Sequence, residues 1–178
     1  MDSFETISDA NQVRERWRAR EAPAGDFIMF GDGSLSVMEL VRFFPHDQLH
    51  NPQAATWRWQ ELLRAHVWTP SEWMDVDTEF ATHAFAGSRA LAGETSAHGS
   101  IGWVALTRDD ECTLEWLAVS CSSNPFAEVT LDETVVTAIN TAGRIWTFPR
   151  NAPQQVEITE DPAYPWPRQG TSAATPVS

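Results

Sequence analysis

His46-Asp47-Gln48-Leu49-His50 is the most metal-like run in the chain. Two histidines four positions apart on a helix present both imidazoles on one face, and Asp47 stands between them. Pro45 and Pro52 leave little room for that helix, and no glutamate follows His46 to act as general base. Loop histidines bonded to backbone are the expectation, with no metal site. Asp75, Asp77 and Glu79 alternate, which in an extended strand aims three carboxylates to one side, as a divalent-cation or glycosidase site requires. The glycine and distal glutamate of an EF-hand loop are missing at the required offsets, so these three read as a solvated strand face. His83 and His98 flank the region and add no pattern of their own.

Signatures of catalysis are missing. The chain has no Gly-x-Ser-x-Gly elbow, no phosphate-binding glycine loop and no dinucleotide fingerprint, and Gly31-Asp32-Gly33 is a turn signal. Cys121 between Ser120 and Ser122 matches no nucleophile pattern. No catalytic residue and no cofactor is assigned, and the reading leans away from an enzyme.

Tryptophan is the residue type with most to say, at nine in the chain. Trp103, Trp116 and Trp146 alternate with apolar neighbours inside strand-like runs and are expected in the core. Trp57, Trp59, Trp68 and Trp73 crowd a polar, proline-broken stretch that cannot easily bury all four. Aromatic rings beside carboxylates form a recognition surface, because the rings anchor contacts and the charges steer a basic partner. Trp68 and Trp73 are therefore the expected anchors of a partner-binding site, and Asp75, Asp77 and Glu79 its charged part.

The charge balance points the same way. Twelve basic residues, all arginine, stand against 25 acidic ones, for a net charge of −13. Such a field repels phosphate backbones and anionic membrane surfaces and speeds encounter with a cation. No nucleic-acid or membrane partner is expected, and a cationic protein partner is. A blander origin stands beside it: acidity that keeps the chain soluble, with arginine over lysine set by coding bias. The function expected is that of a protein-binding protein, an immunity-type inhibitor that blocks a cationic partner such as a toxin domain. The alternatives are a small-ligand binder or enzyme with a Trp-lined pocket, and a structural subunit of a larger assembly.

The elements that position these residues follow from periodicity. Residues 8 to 22 open with capping residues and stop before Pro23 and Gly25, which predicts a helix docking through Val13 and Trp17 at i and i+4 and leaving its arginines mostly in water. Asp32-Gly33 between Phe27–Phe30 and Leu35–Phe44 signals a hairpin, although the spacing of Leu35, Met38 and Val41 also permits a strand leading into a helix at Ser34. Residues 45–75 are the least legible part; Ala54–Val67 reads as a helix, and Thr69-Pro70-Ser71-Glu72 as the start of another short turn.

Strands are predicted over Glu79–Ala86, Ser100–Thr107, Cys112–Ser120, Phe126–Leu131, Thr134–Ile139, Arg144–Phe148 and Gln155–Thr159, with turns at Arg108–Glu111 and Asn140–Gly143. Residues 100–159 are expected to form one contiguous antiparallel sheet. Ile101, Trp103 and Ala105 point one way and Val104 and Leu106 the other, so Ser100–Thr107 and its partner lie centrally. On an extended strand Cys112 and Cys121 stand roughly 30 Å apart, far beyond disulfide reach, so both are expected as free thiols.

The fold class is α+β: a β-rich antiparallel meander sheet with an N-terminal helix and one or two short helices in the first half. One globular domain is expected over residues 1–159, with an extended or disordered proline-rich tail over residues 160–178 that carries Tyr164-Pro165-Trp166-Pro167. No run approaches the ~20 apolar residues of a membrane span, and Met-Asp-Ser-Phe-Glu has no leader character, so a cytoplasmic location is expected.

Overall fold

The computed structural model describes residues 9–51, 54–95 and 99–160. Helix α1 (Ala10–Arg18) opens on Asp9, whose carboxylate accepts from the backbone N–H groups of Asn11 and Gln12 at 2.9 Å each. Val13 and Trp17 are its buried residues, as their spacing requires, and Arg14 and Arg18 are exposed. Strands β1 (Glu21–Pro23), β2 (Phe27–Phe30), β3 (Leu35–Phe43), β4 (Thr56–Ala65), β5 (Trp73–Asp75) and β6 (Thr78–Phe85) follow. After them come β7 (Ser88–Glu94), β8 (Gly102–Arg108), β9 (Leu114–Ser120), β10 (Phe126–Leu131), β11 (Val135–Asn140), β12 (Arg144–Pro149) and β13 (Glu157–Glu160). Every pairing is antiparallel. The molecule is an α+β fold dominated by meander sheet.

Seven strands form one sheet in the order β4-β3-β2-β9-β8-β7-β6, four form a second in the order β10-β11-β12-β13, and β1 pairs with β5 as a separate ribbon. Residues 100–159 are thus divided between two sheets and not contiguous in one. The reason lies in β8 and β9, which are apolar on both faces and need cover on both. Val104, Leu106, Trp116 and Ala118 pack against Val129, Leu131, Val136, Trp146 and Phe148 of the smaller sheet. Trp103, Ala105, Leu117 and Val119 pack the opposite way, against Val13 and Trp17 of α1 and Ala22 and Val76 of the ribbon region. A four-stranded sheet therefore covers one face of the large sheet, and the helix and ribbon cover the other. The alternation read from residues 101–106 holds, and the pairing of β8 with β9 through residues 108–111 is as expected.

One expected helix is corrected. Ala54–Val67 is not helical: β4 runs through it and pairs with β3 from Phe43↔Thr56 to Leu35↔Ala65. Glu61, Leu62, Leu63, Arg64 and Ala65 are good helix formers, but a nine-residue partner strand and the burial of Trp59 outweigh local propensity. Leu62 is the extra residue where the register shifts, which leaves Leu62 and Leu63 both exposed. The segment opening at Thr69 leads into β5. Beyond α1 the first half of the chain holds a 3-10 turn at His46–Gln48, and another such turn lies at Pro153–Gln155.

The hairpin at Asp32-Gly33 forms, and the strand-into-helix alternative at Ser34 does not. Next to it Gly31 is required by close approach, since a Cβ there would stand 2.1 Å from the Leu114 carbonyl oxygen. The proline-rich tail lies outside the described residues beyond Glu160. Among the described residues no helix is long and apolar enough to cross a membrane.

Tryptophans tie the layers together. Trp116 meets Phe148 across the two sheets at 5.4 Å, Trp59 meets Trp146 at 5.5 Å, and Trp17 meets Trp103 at 6.3 Å on the other face. Buried indole N–H groups need acceptors, and Trp17, Trp103 and Trp116 donate to the carbonyls of Glu111, Glu94 and Arg150 at 2.8, 2.9 and 3.0 Å.

Candidate functional site

The ribbon sits on the helix-covered face of the large sheet, with Glu21↔Asp75, Ala22↔Met74 and Pro23↔Trp73 as its register. Ala22 and Val76 are fully buried, and the Val76 N–H donates to the Arg20 carbonyl at 2.7 Å. Fixing Val76 inward forces its neighbours Asp75 and Asp77 outward, and both are exposed. The three carboxylates expected along one strand are split: Asp75 ends β5, Asp77 lies in the link after the buried Val76, and Glu79 is in β6. The register also sets Glu21 directly opposite Asp75, two like charges at a cross-strand position where such pairs destabilise.

Arg16 reaches this ribbon from α1. Its Nη1 lies 2.6 Å from Glu21 Oε2, and its guanidinium stands 4.3 Å from the centre of the Trp73 ring. Asp75, by contrast, forms no ion pair among the described residues. Outside α1, Asp9, Asn11, Gln12, Glu15, Arg16 and Glu21 line an open hollow of ≈ 580 Å³. The Gln12 amide oxygen is buried there without a hydrogen-bond partner among the described residues.

Of the expected anchors, Trp73 is half-buried, whereas Trp68 is 9% exposed and donates its indole N–H to the Gly33 carbonyl at 2.6 Å. The rings stand 5.9 Å apart, so Trp68 is the floor beneath Trp73 and presents little surface of its own. The expectation that four tryptophans of residues 57–73 would resist burial also changes. Trp59 is buried, with its N–H directed to Asp26 at 3.3 Å, while Trp57 and Trp73 keep part of their rings at the surface.

Glu79, at the start of β6, belongs to a different electrostatic setting. Burial pushes its carboxyl above the usual range, with Arg20 pulling it down, Glu111 pushing it up and Arg89 pulling it down. Close by, Arg89 pairs with Asp109 at 3.2 Å and Glu111 at 3.3 Å, and Arg20 with Glu111 at 3.8 Å. Here arginines offset much of the acidity, so Asp75 and Asp77 carry the uncompensated charge. The structure brings Trp68, Trp73 and Asp75 together, places Asp77 alongside, and sets Glu79 within an ion-pair network. Sequence reasoning missed Arg16 and Glu21. Only the β1–β5 register puts Glu21 beside Asp75, and no local pattern spans the gap between residues 21 and 75.

A second groove, of ≈ 270 Å³, lies where β4 and β13 meet, lined by Ala55, Thr56, Trp57, Ile158, Thr159 and Glu160. Arg144 stacks on the Trp57 ring at 4.4 Å and pairs with Glu160 at 3.4 Å.

The remaining chemistry-bearing side chains are occupied or apart. His46 and His50 are exposed around the 3-10 turn, and no group of three or more His, Cys, Asp or Glu among the described residues is placed to hold a metal. Zinc or a chelator is accordingly expected to leave the melting temperature unchanged; a saturable zinc-induced rise abolished by His46→Ala or His50→Ala would overturn that expectation. His83 Nδ1 accepts the Leu131 N–H at 3.0 Å and ties β6 to β10, whereas His98 lies outside the described residues. Cys112 and Cys121 are both free thiols. Burial, then the neighbouring Asp26, push the Cys121 thiol above its usual range, away from the thiolate a nucleophile needs. No protein-family model and no curated protein matches the chain.

Proposed function

We propose that this chain is a protein-binding protein, an immunity-type inhibitor that blocks a cationic partner such as a basic toxin domain through the ribbon carrying Trp73, Asp75 and Asp77. The observation that supports this reading most is Glu21 directly opposite Asp75 beside a half-buried tryptophan. A like-charge cross-strand pair costs the fold stability, and cations supplied by a partner would relieve it. Net charge of −13 adds long-range attraction, and Trp73 adds an aromatic anchor of the kind that dominates interface energetics. Trp68 contributes by holding Trp73 in place, and Glu79 by its position at the edge of the same face.

Affinity capture from the native host, followed by identification of what is retained, is expected to return a basic protein that Asp75→Asn/Asp77→Asn no longer retains. Recovery of neutral or acidic proteins alone, or equal recovery by the variant, would sink the reading. The groove beside Trp57 favours the small-ligand alternative. On that reading a metabolite raises the melting temperature, and Trp57→Ala removes the rise.

A further inference from the structure

Arg16 reaches the ribbon from α1. Its guanidinium lies on the Trp73 ring at 4.3 Å and its Nη1 stands 2.6 Å from Glu21, so an aromatic face and a carboxylate already hold a cation. Both contacts are partly open to water, with the Arg16 and Glu21 side chains 35% and 30% exposed. Neither is locked by burial. Release of Arg16 would uncover Trp73 and leave Glu21, opposite Asp75 in the strand register, without its counter-ion.

We infer that Arg16 is an internal competitor: it caps a cradle made by Trp73, Glu21 and Asp75 whose external ligand is an arginine or lysine side chain of the partner. This rests on the function proposed above and adds the regulation of that same site. The geometry supplies the chemistry on both sides, since a cation over an indole face beside a carboxylate is held by the ring quadrupole and by charge-assisted hydrogen bonding together. The hollow outside α1, lined by Asp9, Glu15, Asn11 and Gln12, gives the displaced guanidinium other acceptors, among them the exposed Glu15 carboxylate. Because the cradle is open only in the fraction of molecules whose Arg16 has swung away, apparent affinity is reduced by that fraction.

The test uses the full chain and a fluorescently labelled nona-arginine peptide as probe, with binding followed by anisotropy at low salt. Arg16→Ala is compared with Arg18→Ala, which makes the same change in net charge from an exposed position on the same helix. Arg16→Ala is expected to bind about tenfold more tightly than Arg18→Ala, a gain of the size that an exposed stacked and paired guanidinium accounts for. Adding Trp73→Ala to Arg16→Ala should erase the gain. Arg16→Gln, which keeps most of the side-chain volume, guards against a folding defect and should behave as Arg16→Ala does. Equal binding by the Arg16 and Arg18 variants would overturn the capping role while leaving the proposed function standing. Failure of every form, wild type included, to bind the peptide would overturn both.

Discussion

Replacing Trp116 by alanine is expected to destabilise the protein by ~3–5 kcal/mol, the usual cost of truncating a large buried aromatic. Trp116 lies in β9, the central strand of the seven-stranded sheet, between β2 and β8, and is 2% exposed. Its ring meets Phe148 of the smaller sheet at 5.4 Å, and its N–H reaches the Arg150 carbonyl at 3.0 Å. Truncation therefore opens a void between the sheets and strips a partner from a backbone carbonyl, both at the layer contact that holds the sandwich together. Against a total stability of about 5–15 kcal/mol for an ordinary domain, such a loss leaves little margin. Denaturant unfolding would show it as a lower midpoint with little change in slope. Trp57→Ala, at a half-buried ring in the β4–β13 groove, is the comparator and should cost far less. A loss below ~1 kcal/mol at Trp116 would contradict its place in the core.

That prediction was already available from the alternation of Trp116 with its apolar neighbours, and the contrast with β4 shows why other parts were harder to read. In β8 and β9 the signals agreed: short, nearly continuous apolar runs with a polar turn between them. In residues 54–67 the signals conflicted. Glu61 to Ala65 favour a helix locally, and what overrides them is β3, whose own strand character was ambiguous at Ser34. The division of residues 100–159 into two sheets had a different cause. Strand periodicity tells which face of a residue is apolar but not which sheet will cover that face, and the turn from Ser120 to Phe126 carries no signal that the chain is leaving one sheet to found another.

The site was legible in part for the same reason. Trp73, Asp75 and Asp77 lie on one short segment and could be grouped by spacing alone. Arg16 and Glu21 join them only through long-range pairing. Trp68 looked exposed because its surroundings are polar in sequence, whereas its ring is covered by the turn at Gly33, far away along the chain.

The second large effect concerns binding. Trp73→Ala is expected to accelerate dissociation of the partner by a factor equivalent to ~2 kcal/mol or more, about thirtyfold, because a central aromatic anchor acts mainly on lifetime. Since Trp73 packs on Trp68 and beneath Arg16, Trp73→Phe serves as the control that keeps the floor of the site intact. It should recover most of the lifetime. The double variant Asp75→Asn/Asp77→Asn should act on the other arm of the kinetics, slowing association while changing dissociation little, because exposed carboxylates steer encounter more than they hold the complex. A Trp73→Ala variant with unchanged dissociation would remove the anchor from the ribbon, and slower association for that variant alone would show that the ring and the charges had exchanged roles.

The association rate of the captured partner measured across a salt series, for wild type and for Asp75→Asn/Asp77→Asn side by side, tests the electrostatic claim most directly. Raising ionic strength to where the Debye length is ~10 Å and below should slow wild-type association steeply while leaving dissociation nearly unchanged. The variant should start slower and fall along a shallower slope. An association rate indifferent to salt, or identical slopes for the two proteins, would contradict the assignment of partner steering to the acidic ribbon.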